Sequence, residues 1–360
     1  MKTVSLKIKS VIYAVFFICF CYGPIKLAAQ DLHFSQYCNS PLSLNPSLAG
    51  AFNGDIRLLT NYRDQWKSIS TPYKTFAFSG DMGLFRKKTR SSFLGSGISF
   101  ISDKAGTSQL SINQVSLSLA YHVQISGYNT FSAGIQGGFT QRSINFDNLK
   151  WDNQYNGNSF DPSLPTYEAN YDNNLFYSDF AGGIQWTYTR GEMYATANNQ
   201  LNINAGAAMF HINQPNISFY PFSKDLLPIK IVLHGNSQIG FKNSKVSLLP
   251  SIIYIQQGPL KNIITGGFVR IKLVNESKYT GYIKGAALSF GGLCRINDAI
   301  IPVVQFEFAQ YAIGMSYDVN TSDLINVSSG KGGFEISLRF INPNPFTGKT
   351  ISIKTPRFFN

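Results

Sequence analysis

From about Asp55 onward, apolar and polar residues alternate with a period of two. Between Ser108 and Gln124, Val115, Leu117, Leu119, Tyr121 and Val123 share one face. Ser116, Ser118, Ala120, His122 and Gln124 share the other. Phe131, Ala133, Ile135, Gly137 and Phe139 stand opposite Ser132, Gly134, Gln136, Gly138 and Thr140. Ile184, Trp186 and Tyr188 alternate with Gln185, Thr187 and Thr189 in the same way. Successive side chains of a strand point to opposite faces, so this pattern predicts strands with one apolar face. No segment of ten or more residues keeps a clean 3.6-residue period, and the chain reads as all-β.

Fourteen alternating segments can be counted, near 55–62, 73–81, 92–102, 108–124, 130–144, 177–189, 193–211, 229–241, 245–256, 261–274, 280–295, 299–308, 311–318 and 332–340. Several exceed ten residues, longer than soluble strands usually are and close to what a tilted membrane-crossing strand needs. An even strand number is the rule in bacterial barrels. The connections sort by parity. Those at 125–129, 190–192, 242–244, 275–279 and 309–310 are short, whereas 145–176, 212–228 and 319–331 fall on the other side. The basic connection 82–91 is a longer exception on the short side. Outer-membrane barrels have short periplasmic turns and long external loops. The non-apolar face is mostly Ser, Thr, Gln, Asn and Gly, which suits a neutral polar lumen rather than a solvated exterior. Tyr62, Tyr73, Tyr121, Tyr188, Tyr311 and Tyr317 sit near strand ends, where interfacial aromatics belong. The last segment, Lys331–Phe340, resembles the terminal-strand signal of barrel assembly. The expected architecture over 55–340 is a transmembrane outer-membrane β-barrel of about 14 antiparallel strands.

The start of the chain follows another rule. Lys2, Lys7 and Lys9 precede an apolar run from Val11 to Tyr22, Gly23-Pro24 breaks it, and Leu27-Ala28-Ala29 offers small residues for a cut after Ala29. This is the pattern of a secretory signal peptide over 1–29, and the run is too short to span a bilayer as a helix. Residues 30–54 lack strand alternation and carry two Pro breaks, as expected for a periplasmic or plug-like segment. Residues 341–360 form a tail rich in Pro, Phe and basic groups. With fourteen strands, both termini are expected on the periplasmic side. Cleavage would leave Cys38 and Cys294, which leaves a single pairing open.

Composition agrees with a neutral lumen. Of 360 residues only 14% are charged while 44% are hydrophobic, and the difference is taken up by 31 Gly and many Ser and Asn. A coiled coil, a charged disordered chain and a polytopic helical membrane protein are excluded. The net charge of +12 falls to +8 without residues 1–29, which hold four Lys and no acid. The basic residues are spread over turns and tail instead of clustering as in a nucleic-acid footprint, so no nucleic-acid partner is expected. At the turns they could meet anionic lipid or acidic partners.

Catalytic and metal motifs fail to assemble. His33, His122, His211 and His234 are spread singly, and the three in predicted strands read as structural or lumen-facing. Gly348-Lys349-Thr350 lacks the first Gly of a phosphate loop, and Asp152–Gly157 lacks the closing Glu of a calcium loop. No catalytic residue, cofactor or metal is expected, and the protein reads as a non-enzyme.

The segment after the expected cut carries three linked motifs. They are Gln30-Asp31-Leu32-His33-Phe34-Ser35-Gln36-Tyr37, then Asn45-Pro46-Ser47-Leu48-Ala49-Gly50, then Tyr62-Arg63-Asp64-Gln65-Trp66. In this order they resemble the PorP/SprF family of Bacteroidetes outer-membrane proteins, with His33 and Ser47 where Gln and Ala are commoner. The resemblance implies a barrel of the type IX secretion and gliding-motility machinery in the outer membrane of a Gram-negative cell. Its partners would be outer-membrane lipid, periplasmic type IX secretion components and secreted surface adhesin cargo. Phe34, Ser35, Gln36, Tyr37, Asn45, Pro46, Gly50, Tyr62, Arg63, Gln65 and Trp66 are the interaction candidates it carries. Residues 30–54 would pack into or under the barrel mouth with Phe34 and Tyr37 as anchors. Arg63, Gln65 and Trp66 would lie in the first external loop. The competing expectation is a passive porin or small-hydrophobe transporter with the N-terminal segment as a hatch.

Overall fold

The computed structural model describes residues 31–68, 71–85, 92–145, 149–167, 173–190, 200–220, 222–274 and 284–342. Fourteen strands form one closed antiparallel barrel in which every strand pairs with its sequence neighbours and β1 closes on β14. They are β1 Ile56–Gln65, β2 Tyr73–Leu84, β3 Ser92–Ala105, β4 Leu110–Gln124, β5 Asn129–Ser143, β6 Asn174–Arg190 and β7 Leu201–Phe210. The second half holds β8 Lys230–Gly240, β9 Val246–Gln257, β10 Leu260–Val274, β11 Ala286–Arg295, β12 Ala299–Phe308, β13 Tyr311–Asn320 and β14 Lys331–Asn342.

Each expected segment coincides with one strand. The expected starts at 193 and 280, and the expected turns 190–192 and 275–279, fall largely outside the described residues. Several strands run longer than expected. β1 continues through Arg63 and Asp64 because the Arg63 side chain is buried inside against Asp318, so its charge does not end the strand. β14 extends into the expected tail as far as Asn342, with Ile341 buried.

The outward face is apolar. Leu117, Ile135, Phe139 and Ile184 are 62–75% exposed, an arrangement that only a lipid solvent makes stable. The inward face departs from the expectation of a uniformly polar lumen. Strands β8–β12 turn Val232, Ile253, Ile255, Ile264, Leu293, Ile301 and Val303 inward, forming an apolar sector. Stretches such as Ile252-Ile253-Tyr254-Ile255 are apolar on both faces, so alternation could not reveal it. Two prolines interrupt ladders of this sector. Pairing skips the pair of residues at Pro250 between β8 and β9, and again at Pro302 between β12 and β13, since proline offers no N–H to the ladder.

Residues 31–54 run through the lumen as three 3-10 turns, Tyr37–Asn39, Pro41–Ser43 and Pro46–Leu48. The direction of travel follows from the register. Asp31 bonds to Gln257 at the end of β9, beside the long connections 144–173 and 211–229, whereas Gly50 bonds to Asp81 near the opposite end of β2. The segment therefore crosses the barrel from the long-loop end to the short-turn end before entering β1. This corrects the expectation that both termini lie on one side: β14 ends at the short turns, and Asp31 lies at the other mouth. Cys294 faces outward and Cys38 belongs to the luminal segment, and both are free thiols.

The long-loop end faces outside in barrels of this kind. With Cys38 and Cys294 replaced by Ser, Ser223→Cys in the 211–229 connection should react with an impermeant maleimide on intact cells. Asn243→Cys in the 241–245 turn should react only after the outer membrane is opened. Equal labelling of the two would reverse or abolish this orientation.

Candidate functional site

The three motifs converge in the lumen through charged residues of the wall. Ser35 and Gln36 donate their backbone N–H groups to the Glu335 carboxylate at 2.8 and 2.9 Å. The Ser35 hydroxyl donates to Asp318 at 2.7 Å, and Arg295 donates to that same hydroxyl at 2.8 Å. Arg63 reaches Asp318 at 2.8 Å and also donates to the His33 carbonyl. Two carboxylates and two guanidinium groups, all buried, thus grip one turn of the luminal segment. Arg63 is a wall residue of this cluster and not part of an external loop. Gln65 is likewise the last residue of β1, and Trp66 follows it at φ 60° with its ring edge-on to Tyr73. Tyr62 points outward. Of this third motif, Arg63 joins the luminal cluster, while Tyr62 and Trp66 stay apart from it.

Below this cluster, Phe34 is buried and Tyr37 joins Leu44, Leu48 and Ala51 against the apolar sector of β8–β12. The Gln36 amide reaches Ser316 and the Glu335 carbonyl, and Asn39 reaches Ser337. Asn45 caps the third turn by accepting from the Ser47 N–H at 2.9 Å. Pro46 follows as the first residue of that turn, where its missing N–H costs nothing. The other end of the Asn45 amide donates to the Ile184 carbonyl at 3.0 Å and lies 3.1 Å from His234 Nε2. His122 holds the next step, donating from Nε2 to the Ala49 carbonyl at 2.8 Å while Nδ1 accepts from Ser132. Gly50, at φ 75°, gives its N–H to Asp81, which also binds Arg57 at 2.8 Å. A Cβ on Gly50 would stand 2.9 Å from the backbone of Gly95.

Glycines of the wall match this path. A Cβ on Gly183 would lie 2.1 Å from Asn45 Oδ1, on Gly134 2.5 Å from Ser47 N, and on Gly95 1.9 Å from the Ala49 oxygen. On Gly314 it would meet Gln36 Oε1 at 2.4 Å. The wall lacks side chains where the segment touches it, so the two surfaces fit closely.

At the external mouth, Asp31 binds His211 and lies 3.2 Å from Lys230, and Asp179 stands 3.0 Å from the other ring nitrogen of His211. Burial opposes the charged imidazolium, but the contacts to Asp179 and Asp31 outweigh it and raise the pKa of His211. Burial alone would push the Asp31 carboxyl up; the Lys230 charge and His211 reverse this and hold it below the usual carboxylate range. Among the described residues, no group of three His, Cys, Asp or Glu is placed to hold a metal ion.

Sequence reasoning missed Asp81, Asp179, Arg295, Asp318 and Glu335. Their signal was available: acids and bases occur inside alternating segments at inward parity, and a charge at membrane depth implies an opposite partner.

Two outcomes follow for this segment. Gly95→Ala should lower stability in detergent by about 1–3 kcal/mol through overpacking, read by thermal unfolding. Gly127→Ala, where a Cβ meets nothing within 4 Å, should stay within about 0.5 kcal/mol. The raised pKa of His211 contributes stability that is complete below its ordinary value near 6.5 and is lost as pH rises through the folded value. Amide exchange at Leu32 and His33, corrected for intrinsic rates, should therefore quicken as pH climbs above that range. His211→Ala should remove the step.

The TodX monoaromatic hydrocarbon channel deltaS2 mutant is similar at 10% identity and a TM-score of 0.43, over 84% of this chain and 92% of that one. The CymD monoaromatic hydrocarbon channel is similar at 10% identity and 0.41, over 84% and 92%. BamA from Haemophilus ducreyi lacking POTRA domains 1–3 is similar at 9% identity and 0.38, over 80% and 70%. No curated protein matches the chain. The family model described as type IX secretion system membrane protein PorP/SprF matches residues 26–340. An outer-membrane barrel of fourteen strands whose three linked motifs lie within that match belongs to the PorP/SprF family of type IX secretion system membrane proteins.

Proposed function

We propose that this protein serves the type IX machinery as a non-enzymatic, closed barrel that holds other proteins at the outer membrane. It takes periplasmic components at its short-turn end and surface adhesin-type cargo at its long-loop end, through protein contacts. Cargo does not pass through its own lumen. The observation that carries this reading is the occupied lumen. Residues 31–54 run through the barrel from mouth to mouth, tied to buried charged residues of the wall by hydrogen bonds and fitted against glycines. A passive porin needs a water-filled path, whereas here Leu48, Ala49, Ala51 and Phe52 are completely buried. Membership in a secretion family supplies the setting.

In-cell photo-cross-linking tests the reading. A cross-linker at Asn243, in the 241–245 turn, should capture a periplasmic component of the secretion system. One at Ser223, in the 211–229 connection, should capture a secreted surface protein. If neither position yields such a partner in actively secreting cells, the scaffold role is wrong.

A further inference from the structure

The two ends of the barrel carry opposite charge. Among the described residues, the connections of the short-turn end hold three basic residues and no acidic one; those of the long-loop end hold three basic residues and five acidic ones. The asymmetry is local to the connections, because luminal charges such as Arg270 and Glu307 are paired within the wall. Arg190, Lys242, Lys245 and Lys284 at the short-turn end are all exposed, and none has an ion-pair partner among the described residues.

Their height relative to the bilayer can be read from their neighbours. Exposed aromatics gather at the same rim: Phe241 directly precedes Lys242, Tyr128 lies near Tyr188 with centroids 5.9 Å apart, and Tyr311 packs on Phe340 at 5.2 Å. Aromatic rings of this kind settle at the headgroup level, with the apolar band on one side and water on the other. The basic groups therefore lie at the depth of lipid phosphates, and their stems can run along apolar surface while the charge reaches outward. They also come from the end of β6 and from two different connections, spread over the arc from β6 to β11. A ring of cations at headgroup depth complements a leaflet; an acidic protein surface would select a compact patch projecting beyond it.

We propose that the short-turn rim binds anionic phospholipid headgroups of the inner leaflet. This contact fixes the depth of the barrel and surrounds its periplasmic mouth with acidic lipid. The proposal rests on the outer-membrane fold and its orientation, and does not depend on which proteins the barrel holds.

Trp186 is a built-in probe, since it sits on β6 four residues before Arg190. In the full chain with Trp66→Phe and Trp151→Phe, Trp186 is the remaining tryptophan. Its fluorescence is measured in vesicles of phosphatidylcholine and phosphatidylglycerol in which one lipid at a time is brominated. The expected result is that phosphatidylglycerol quenches out of proportion to its share of the bilayer at low salt. The preference should fall roughly tenfold in Arg190→Gln/Lys242→Gln/Lys245→Gln/Lys284→Gln and fade as salt screens the charges. If the aromatic replacements impair folding, mass spectrometry of lipid retained by the otherwise unaltered protein and by the four-Gln variant gives the same comparison. Quenching or retention that follows the bulk lipid ratio in the unaltered rim would overturn the proposal. So would a preference that survives all four substitutions. A rim indifferent to lipid charge that instead captures an acidic protein in a salt-sensitive way would also overturn it.

Discussion

The buried carboxylates of Asp318 and Glu335 hold the arrangement together. An eight-stranded barrel is filled by its own side chains, but a fourteen-stranded one is too wide for that, and its interior must hold water or another piece of protein. Here the filling is the chain's own residues 31–54. Charges buried at that depth are tolerable only if paired and hydrogen-bonded. Asp318 finds Arg63, Arg295 and the Ser35 hydroxyl, and Glu335 finds two backbone N–H groups of the luminal segment. Withdrawing the segment would strip Glu335 of both N–H donors and Asp318 of the Ser35 hydroxyl, inside a wall that cannot rearrange freely. Leaving a buried polar group without its hydrogen bond typically costs about 1–3 kcal/mol, and more for a charged one. The segment is therefore part of the barrel's folded state.

The remaining contacts extend that anchor in both directions. Toward the outside, Asp31 is held by His211 and Lys230; toward the periplasm, Asn45, Ala49 and Gly50 are held by side chains and carbonyls of β2, β4, β6, β7 and β8. One side of the segment is polar and bonds to the wall. The other carries Tyr37, Leu44 and Leu48 into the apolar sector of β8–β12. The lumen is two-faced because its filling is. Since β1 begins two residues after Gly54 and closes the sheet against β14, the segment is connected directly to the seam that completes the barrel.

Much of this was legible in advance, for definite reasons. The strands were legible because lipid imposes a period of two on every outward face, as in Val115, Leu117 and Leu119. The long loops were legible because Pro, Asn and Tyr interrupt that period between Ser143 and Asn174. The luminal path was harder to read. Phe34, Ser35, Gln36, Asn45 and Gly50 stood out as a motif, but their partners Asp318, Glu335 and Asp81 lie up to 300 residues away, and no local pattern connects them. Arg63 was misplaced because a charge following Tyr62 looks like the end of a membrane strand until its inward parity is matched with Asp318. The end at which the chain emerges was misjudged because counting strands fixes where β1 starts. It leaves open how far the preceding residues climb.

In the role we propose, a barrel threaded by its own chain serves the secretion machine by what it presents at its two rims, without conducting anything through its centre. The claim that the lumen is closed meets its most direct test in planar-bilayer conductance of the purified full-length protein beside a variant lacking residues 31–54. The intact protein should show no stable open level, and the deletion should show large, ohmic steps where it inserts. Sustained ohmic conductance from the intact protein at low voltage would contradict a lumen filled from mouth to mouth.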